Sequence, residues 1–247
     1  MNTFFKKAGI TLGLLVWVFA VFMLVQLLFG QILVAVQALG VSFQGMNTVV
    51  FSAAVGIVIY SATLLLVIGV PWWVLEKKTT LKQLGVQRPP RLTDILWLGG
   101  GIVGYLIFTL VATSLAMAFL PFIDFAEKQE TGYEAVSQYY EYVLAFIGLV
   151  IVAPIAEELL FRGYLFGKLK QYNIKTWVIV LVTSALFGIA HMQLNVMVDT
   201  FALGVALALL RVFSGSIWPS ILLHMAKNGL AYYLLFINTS FLSTLGG

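Results

Sequence analysis

Cysteine is absent from the 247 residues, which excludes disulfides, thiol nucleophiles and thiolate metal ligands. Charge is almost as scarce. Asp, Glu, Lys and Arg make up 10% of the chain, against roughly 25% in an ordinary soluble domain. Residues 8–75 contain no Asp, Glu, Lys, Arg or His, and residues 95–123 repeat the gap. A water-soluble fold is thereby excluded, because such runs leave no polar face to hydrate. Histidine occurs only twice, so any imidazole chemistry rests on His191 and His224. Internal repeats, flexible linkers and low-complexity tracts are also missing.

What remains is 61% hydrophobic. A membrane span needs about 20 apolar residues, and the runs divide into segments 8–39, 48–75, 94–120, 141–168, 176–192, 195–213 and 216–238. The expected fold is therefore all-α, a polytopic transmembrane bundle of about seven spans. The first segment exceeds one perpendicular crossing and must tilt, or bend near Gly30-Gln31. The start "MNTFFKK" is basic like a signal peptide, but its apolar stretch is too long and lacks an A-x-A site, so it reads as a retained span. "GVSFQGMN" reads as the first turn, "EKKTTLKQLGVQRPPR" as a basic loop, and "DFAEKQETGYEAVSQYYE" as an acidic loop with room for a short amphipathic helix. The third span starts at Thr93-Asp94, a suitable cap. The last two spans carry Asp199 and glycines that also fit a re-entrant hairpin.

Lys and Arg mark cytoplasmic loops. An inside N-terminus places Lys6, Lys7, Lys77, Lys78, Lys82, Arg88, Arg91, Lys168, Lys170, Lys175 and Arg211 on that side and leaves Lys128 outside. The expected location is thus the cell membrane, multi-pass, with the N-terminus cytoplasmic and the lipid bilayer as partner. The net charge of +4 is spread between spans and gives no reason to expect nucleic acid. Residues 1–139 read as scaffold helices and 140–237 as the chemical core, within one integrated domain.

With loops and span ends set aside, the polar residues singled out inside the spans are Glu157, Glu158, Arg162, His191, Asp199, His224, Lys227 and Asn228. Each charge at mid-helix costs roughly 2.5–3.5 kcal/mol on insertion scales, so such residues point to function. Glu158 and Arg162 are i,i+4 neighbours, the spacing at which carboxylate and guanidinium meet. Glu157 is rotated about 100° away, so one Arg need not neutralise both. Pro154 removes a helical hydrogen bond one turn earlier and opens local space. His224 and Asn228 share a helix face. Small residues at 184, 185, 188 and 190 let another helix approach. Taken singly, each feature has a plain reading. Glu158–Arg162 is a structural lock, His191 and Asn228 are interhelical contacts, Lys227 snorkels or faces a polar cavity, and Asp199 is a cap or interfacial residue. A spare carboxylate, two histidines and an asparagine on three helices are too costly for packing alone. At 1.5 Å per residue, Glu157, His191 and His224 sit roughly 16, 21 and 9 Å deep, a spread that helix tilt can absorb.

"EELLFR" at 157–162, "FGIAH" at 187–191 and "HMAKN" at 224–228, in that order, resemble the CPBP family of intramembrane proteases. Its relatives include the type II CAAX prenyl endopeptidases and bacteriocin-immunity proteins. The resemblance covers roughly residues 140–237. It implies hydrolysis of a membrane-associated or prenylated peptide by activated water, with Glu157 as general base and His191 holding the same water. His224 and Asn228 would donate to the oxyanion, and Glu158 with Arg162 would support the helix. Glu157, His191 and His224 also make the ligand count of a catalytic zinc, though not an H-E-x-x-H arrangement. Zinc-assisted and metal-free chemistry therefore both stay open. Two rival functions are a non-catalytic immunity or scaffold protein and a proton-coupled transporter. The transporter reading expects inverted repeats, and the polar set does not recur before residue 140.

Overall fold

In the computed structural model, residues 3–76, 78–127 and 129–238 are described. Lys77 and Lys128, which enter the orientation argument, lie outside the described residues. The architecture is all-helical, with helices α1 (Thr3–Ala38), α2 (Thr48–Trp73), α3 (Leu81–Leu84), α4 (Leu92–Phe119), α5 (Tyr139–Gln171), α6 (Thr176–Ile189), α7 (Leu194–Ser214) and α8 (Trp218–Ile237). Among the described residues, six helices are long and apolar enough to cross a membrane, and α6 is a shorter apolar helix. That agrees with about seven spans, and the chain is a multi-pass membrane protein.

Each apolar run becomes helical because lipid offers no partner to a backbone N–H or C=O, so the bonds must close within the segment. The 36-residue α1 runs through Gly30-Gln31 without a break in helical structure. At 1.5 Å per residue it is about 54 Å long, which tilt must accommodate. The acidic loop 120–138 contains turns and no helix among its described residues. The re-entrant hairpin does not form either, since α7 is a continuous 21-residue helix.

The basic loop holds more order than its composition suggests. Thr80 and Gln83 cap α3 reciprocally, each side chain bonding the other's backbone N–H, which satisfies two orphan donors. Gly85 ends α3 with φ +81°, and a Cβ there would lie 2.7 Å from the Arg211 guanidinium. Only glycine meets both demands. Arg211 is buried and donates through Nη2 to the Lys82 and Gln83 carbonyls and through Nε to the Arg162 carbonyl. It thereby pins α3 onto α5. At the start of α4, Asp94 accepts from the Arg91 N–H and pairs with Arg88.

The main apolar core joins Val21 of α1, Val67 of α2, Phe161 of α5, Phe187 of α6, Leu207 of α7 and Leu223 of α8. Helices α6 and α7 approach through small residues, as the sequence suggested. A Cβ on Gly204 would sit 3.0 Å from Ser184 Cα, and one on Gly188 would sit 2.8 Å from the Met197 carbonyl. Large apolar side chains on α1, α2 and α4, such as Leu12, Leu65 and Leu110, are exposed, as lipid-facing surface should be.

Candidate active site

Helix α5 is not a regular α-helix where the charges lie. Residues Ile147–Val152 and Leu159–Leu165 are π-helical, and Ala153–Glu158 between them is α-helical. The wider π turn interrupts the usual ladder, an irregularity common at functional sites. The Ala153 N–H bonds the Gly148 carbonyl, five residues back. In that register the Leu149 carbonyl would take the N–H of residue 154, which is proline and has none. The side-chain amide of Asn228 fills the gap, donating from Nδ2 to Leu149 O at 2.9 Å. Pro154 therefore opens space by shifting hydrogen-bond register, and α8 closes the broken rung.

The two adjacent carboxylates part company. Glu158 is fully buried; its Oε1 lies 2.8 Å from Arg162 Nη1 and 3.1 Å from His224 Nδ1. Arg162 is equally buried, donates from Nη2 to the Gly204 carbonyl at 3.1 Å, and rests 4.3 Å from the centroid of the Phe187 ring. Glu157 remains partly accessible. Its Oε1 accepts from the Tyr60 hydroxyl at 2.5 Å, and its Oε2 lies 3.7 Å from His224 Nε2. His224 thus stands between the two acids, one on each ring nitrogen.

His191 occupies the turn between α6 and α7, immediately before Met192, whose φ of +58° is left-handed. Such a backbone is disfavoured for a side chain of this size, so the turn is held by its surroundings. His191 Nδ1 lies 2.8 Å from the Phe187 carbonyl. A carbonyl only accepts, so Nδ1 carries hydrogen and Nε2 of the neutral ring keeps its lone pair. The Phe187 ring meets His191 and His224 edge-on at 5.1 and 5.6 Å, separating the imidazoles while fixing both.

Glu157, His191, His224 and Asn228 line one cavity of about 210 Å³, together with Tyr60 and Lys227. Glu158 and Arg162 do not line it; both are fully buried, with Glu158 against His224. Gln129, Glu130 and Thr131 of loop 120–138 contribute to its wall. Lys227 does face a polar cavity, and its Nζ lies 3.2 Å from Asp199 Oδ2. Asp199 is no helix cap: it also accepts from Tyr105 of α4 at 2.7 Å. Among the described residues, no three His, Asp or Glu side chains are grouped so that they could hold a metal ion. The set Glu157, His191 and His224 does not fit zinc as arranged, and no step below runs through a metal.

The residue that sequence reasoning missed is Tyr60. It is the one tyrosine of α2 and sits at that helix's middle, away from the interfaces where tyrosine is common. That depth was the available signal. Tyr105, which positions Asp199, was missed in the same way.

The comparisons with known proteins follow the same segment. Residues 139–230 match the family model described as type II CAAX prenyl endopeptidase Rce1-like, so the resemblance drawn from the three motifs holds over that stretch. An uncharacterized 24.3 kDa protein of Escherichia coli is 31% identical over 142 residues, covering 55% of this chain and 61% of that protein. The UPF0177 protein YbdI of Lactococcus lactis is 31% identical over 106 residues, 42% of this chain and 56% of the relative. The putative membrane peptidase YdiL of Bacillus subtilis is 29% identical over 136 residues, 55% and 54% of the two chains. The matches thus span little more than half the length of these curated relatives. No solved structure matches.

Proposed function

We propose that this chain is an intramembrane endopeptidase that hydrolyses a peptide bond with water activated by Glu157. The observation that carries the reading is that Glu157, His191, His224 and Asn228, far apart in the chain, line one cavity. Glu158 is engaged by Arg162, whereas Glu157 is held by the Tyr60 hydroxyl and keeps Oε2 3.7 Å from His224 Nε2.

In the proposed reaction a water lies between Glu157 and the lone pair of His191 Nε2. Glu157 takes one proton from it, and the oxygen adds to the peptide carbonyl carbon. The carbonyl oxygen becomes an oxyanion, met by His224 Nε2–H in the imidazolium form and by the second amide N–H of Asn228, which its bond to Leu149 leaves free. Such donors act strongly in a water-poor site. The C–N bond then breaks, Glu157 returns its proton to the departing nitrogen, and an acid and an amine leave. Glu158 orients His224 through Nδ1, and Tyr60 holds Glu157.

The substrate class in this reading is a membrane-associated peptide, with a prenylated tail as one member. The test is cleavage of candidate membrane peptides by purified wild type and Glu157→Gln, with metal content measured on the same samples. Loss of cleavage in a folded, metal-free variant series supports direct water activation. Undiminished cleavage by Glu157→Gln would overturn it, and zinc at one equivalent that chelation removes together with activity would replace it by a metal mechanism. The rival reading, a non-catalytic immunity or scaffold protein, draws on the Asn228–Leu149 bond, which gives Asn228 a structural duty. It requires Glu157→Gln to keep full biological activity.

A further inference from the structure

The two faces of the bundle are chemically unlike. One gathers the start of α1, the α2–α4 loop, the α5–α6 turn and the start of α8. These are tied together by Lys7 Nζ donating to the Asn173 carbonyl and Trp218 Nε1 donating to the Arg88 carbonyl. This face carries Lys6, Lys7, Lys78, Lys82, Arg88, Arg91, Lys170 and Lys175. The other gathers loops 39–47 and 120–138 and the α6–α7 turn, joined by Asn47 Nδ2 donating to Tyr140 and Asn195 Nδ2 donating to the Glu127 carbonyl. Its described loop residues include Asp124, Glu127, Glu130 and Glu134 and no Lys or Arg.

The cavity belongs to the second face. Its wall includes Gln129, Glu130 and Thr131, of which the first two are exposed. Between Glu157 and the basic end of α5, and between the basic start of α8 and His224, lie Glu158, Arg162 and Ser220, all with no exposed surface. Below them Arg211 pins α3 across α5. Exposed lining residues thus lie on the loop 120–138 side, and a buried polar layer lies on the basic side. Lys and Arg are retained on the cytoplasmic side when spans insert.

We propose that the cavity opens to the extracytoplasmic side, and that its ligand is a translocated peptide segment reaching the outer half of the bilayer rather than the tail of a cytosolic protein. The word substrate here rests on the protease reading, but the orientation does not, and the experiment separates them. The chain has no cysteine, so single cysteines can be introduced into the full protein without background. Thr131→Cys and Glu130→Cys report the cavity rim, Ala231→Cys its interior, and Lys82→Cys the basic face. With a small membrane-impermeant thiol reagent, the first three should label in intact spheroplasts and be protected in sealed inverted vesicles. Lys82→Cys should do the reverse. Rim and interior labelling only from inverted vesicles, or from both sides alike, would overturn the proposal. Rim labelling from spheroplasts with Ala231→Cys reacting only from inverted vesicles would overturn the assigned mouth alone, and with it the translocated-peptide ligand. Labelling requires no turnover, so an inactive protein gives the same answer.

Discussion

Helices α4 and α7 are both apolar spans, yet they sit in different solvents. Only Asp94, Gly101 and Ala116 are buried on the 28-residue α4, whereas the 21-residue α7 buries nine residues, Arg211 among them. The first is solvated by lipid on most of its surface; the second is solvated by protein. Charge follows the same division. Apart from Asp94 at the start of α4, which pairs with Arg88, the buried ion pairs among the described residues join α5 to itself and to α8. The π-helical backbone lies in α5 and α8, while α2 lends the Tyr60 hydroxyl and α4 the Tyr105 and Thr109 hydroxyls to acids held elsewhere. The difference teaches that the early spans form a lipid-facing wall with a few reaching side chains, and the late spans hold the candidate site.

The sharpest way to test that division is Glu157→Gln. It changes one atom of a partly accessible side chain, so the fold should persist while cleavage falls by about 10²–10⁴-fold, the usual worth of a general base. Rate and thermal midpoint measured on the same sample check it. A fall in midpoint matching the fall in rate would make Glu157 structural and erase the distinction between it and Glu158.

Arg162→Met should do the opposite. It leaves Glu158 buried without its cation, a loss of about 3–5 kcal/mol, seen as a lower unfolding midpoint in detergent. Leu110→Ala on the lipid side of α4 should stay within about 0.5 kcal/mol, because Leu110 is 70% exposed and exchanges lipid for lipid. Equal midpoints for the two variants would mean the two regions are not solvated differently.

The spans were legible because apolar runs and their polar interruptions are written directly into the residue order. The site was legible in part, since an ionisable group in a bilayer-length run is costly enough to stand out. The π turns of α5 were not, because changing a bond from four residues back to five alters no side-chain pattern. This hid the duty of Asn228 as well. Pro154 announces an orphan carbonyl, but in α register that would be Val150, and only the π register moves it to Leu149. Tyr60 was hidden for another reason: its hydroxyl has meaning only once α5 lies against α2.

Tyr60→Phe tests whether the wall takes part. A hydrogen bond to a charged acceptor is worth about 1.5–3 kcal/mol, so cleavage should fall by roughly ten- to hundredfold with the thermal midpoint little changed. An unchanged rate would return α2 to pure scaffold.

The smallest effects compare glycines. Gly188 faces α7, where an added methyl would sit 2.8 Å from the Met197 carbonyl. Backbone cannot yield as a side-chain tip can, so Gly188→Ala should cost about 1–3 kcal/mol through overpacking. Gly99 in α4 has nothing within 4 Å of the same position. There alanine meets no obstacle and removes glycine's entropic penalty, so Gly99→Ala should stabilise by roughly 0.5–1 kcal/mol. The two variants carry the same chemical change into two helices, and their unfolding midpoints should move in opposite directions. If Gly99→Ala destabilises as well, some other surface covers α4 in the membrane, and its apparent solvation by lipid is mistaken.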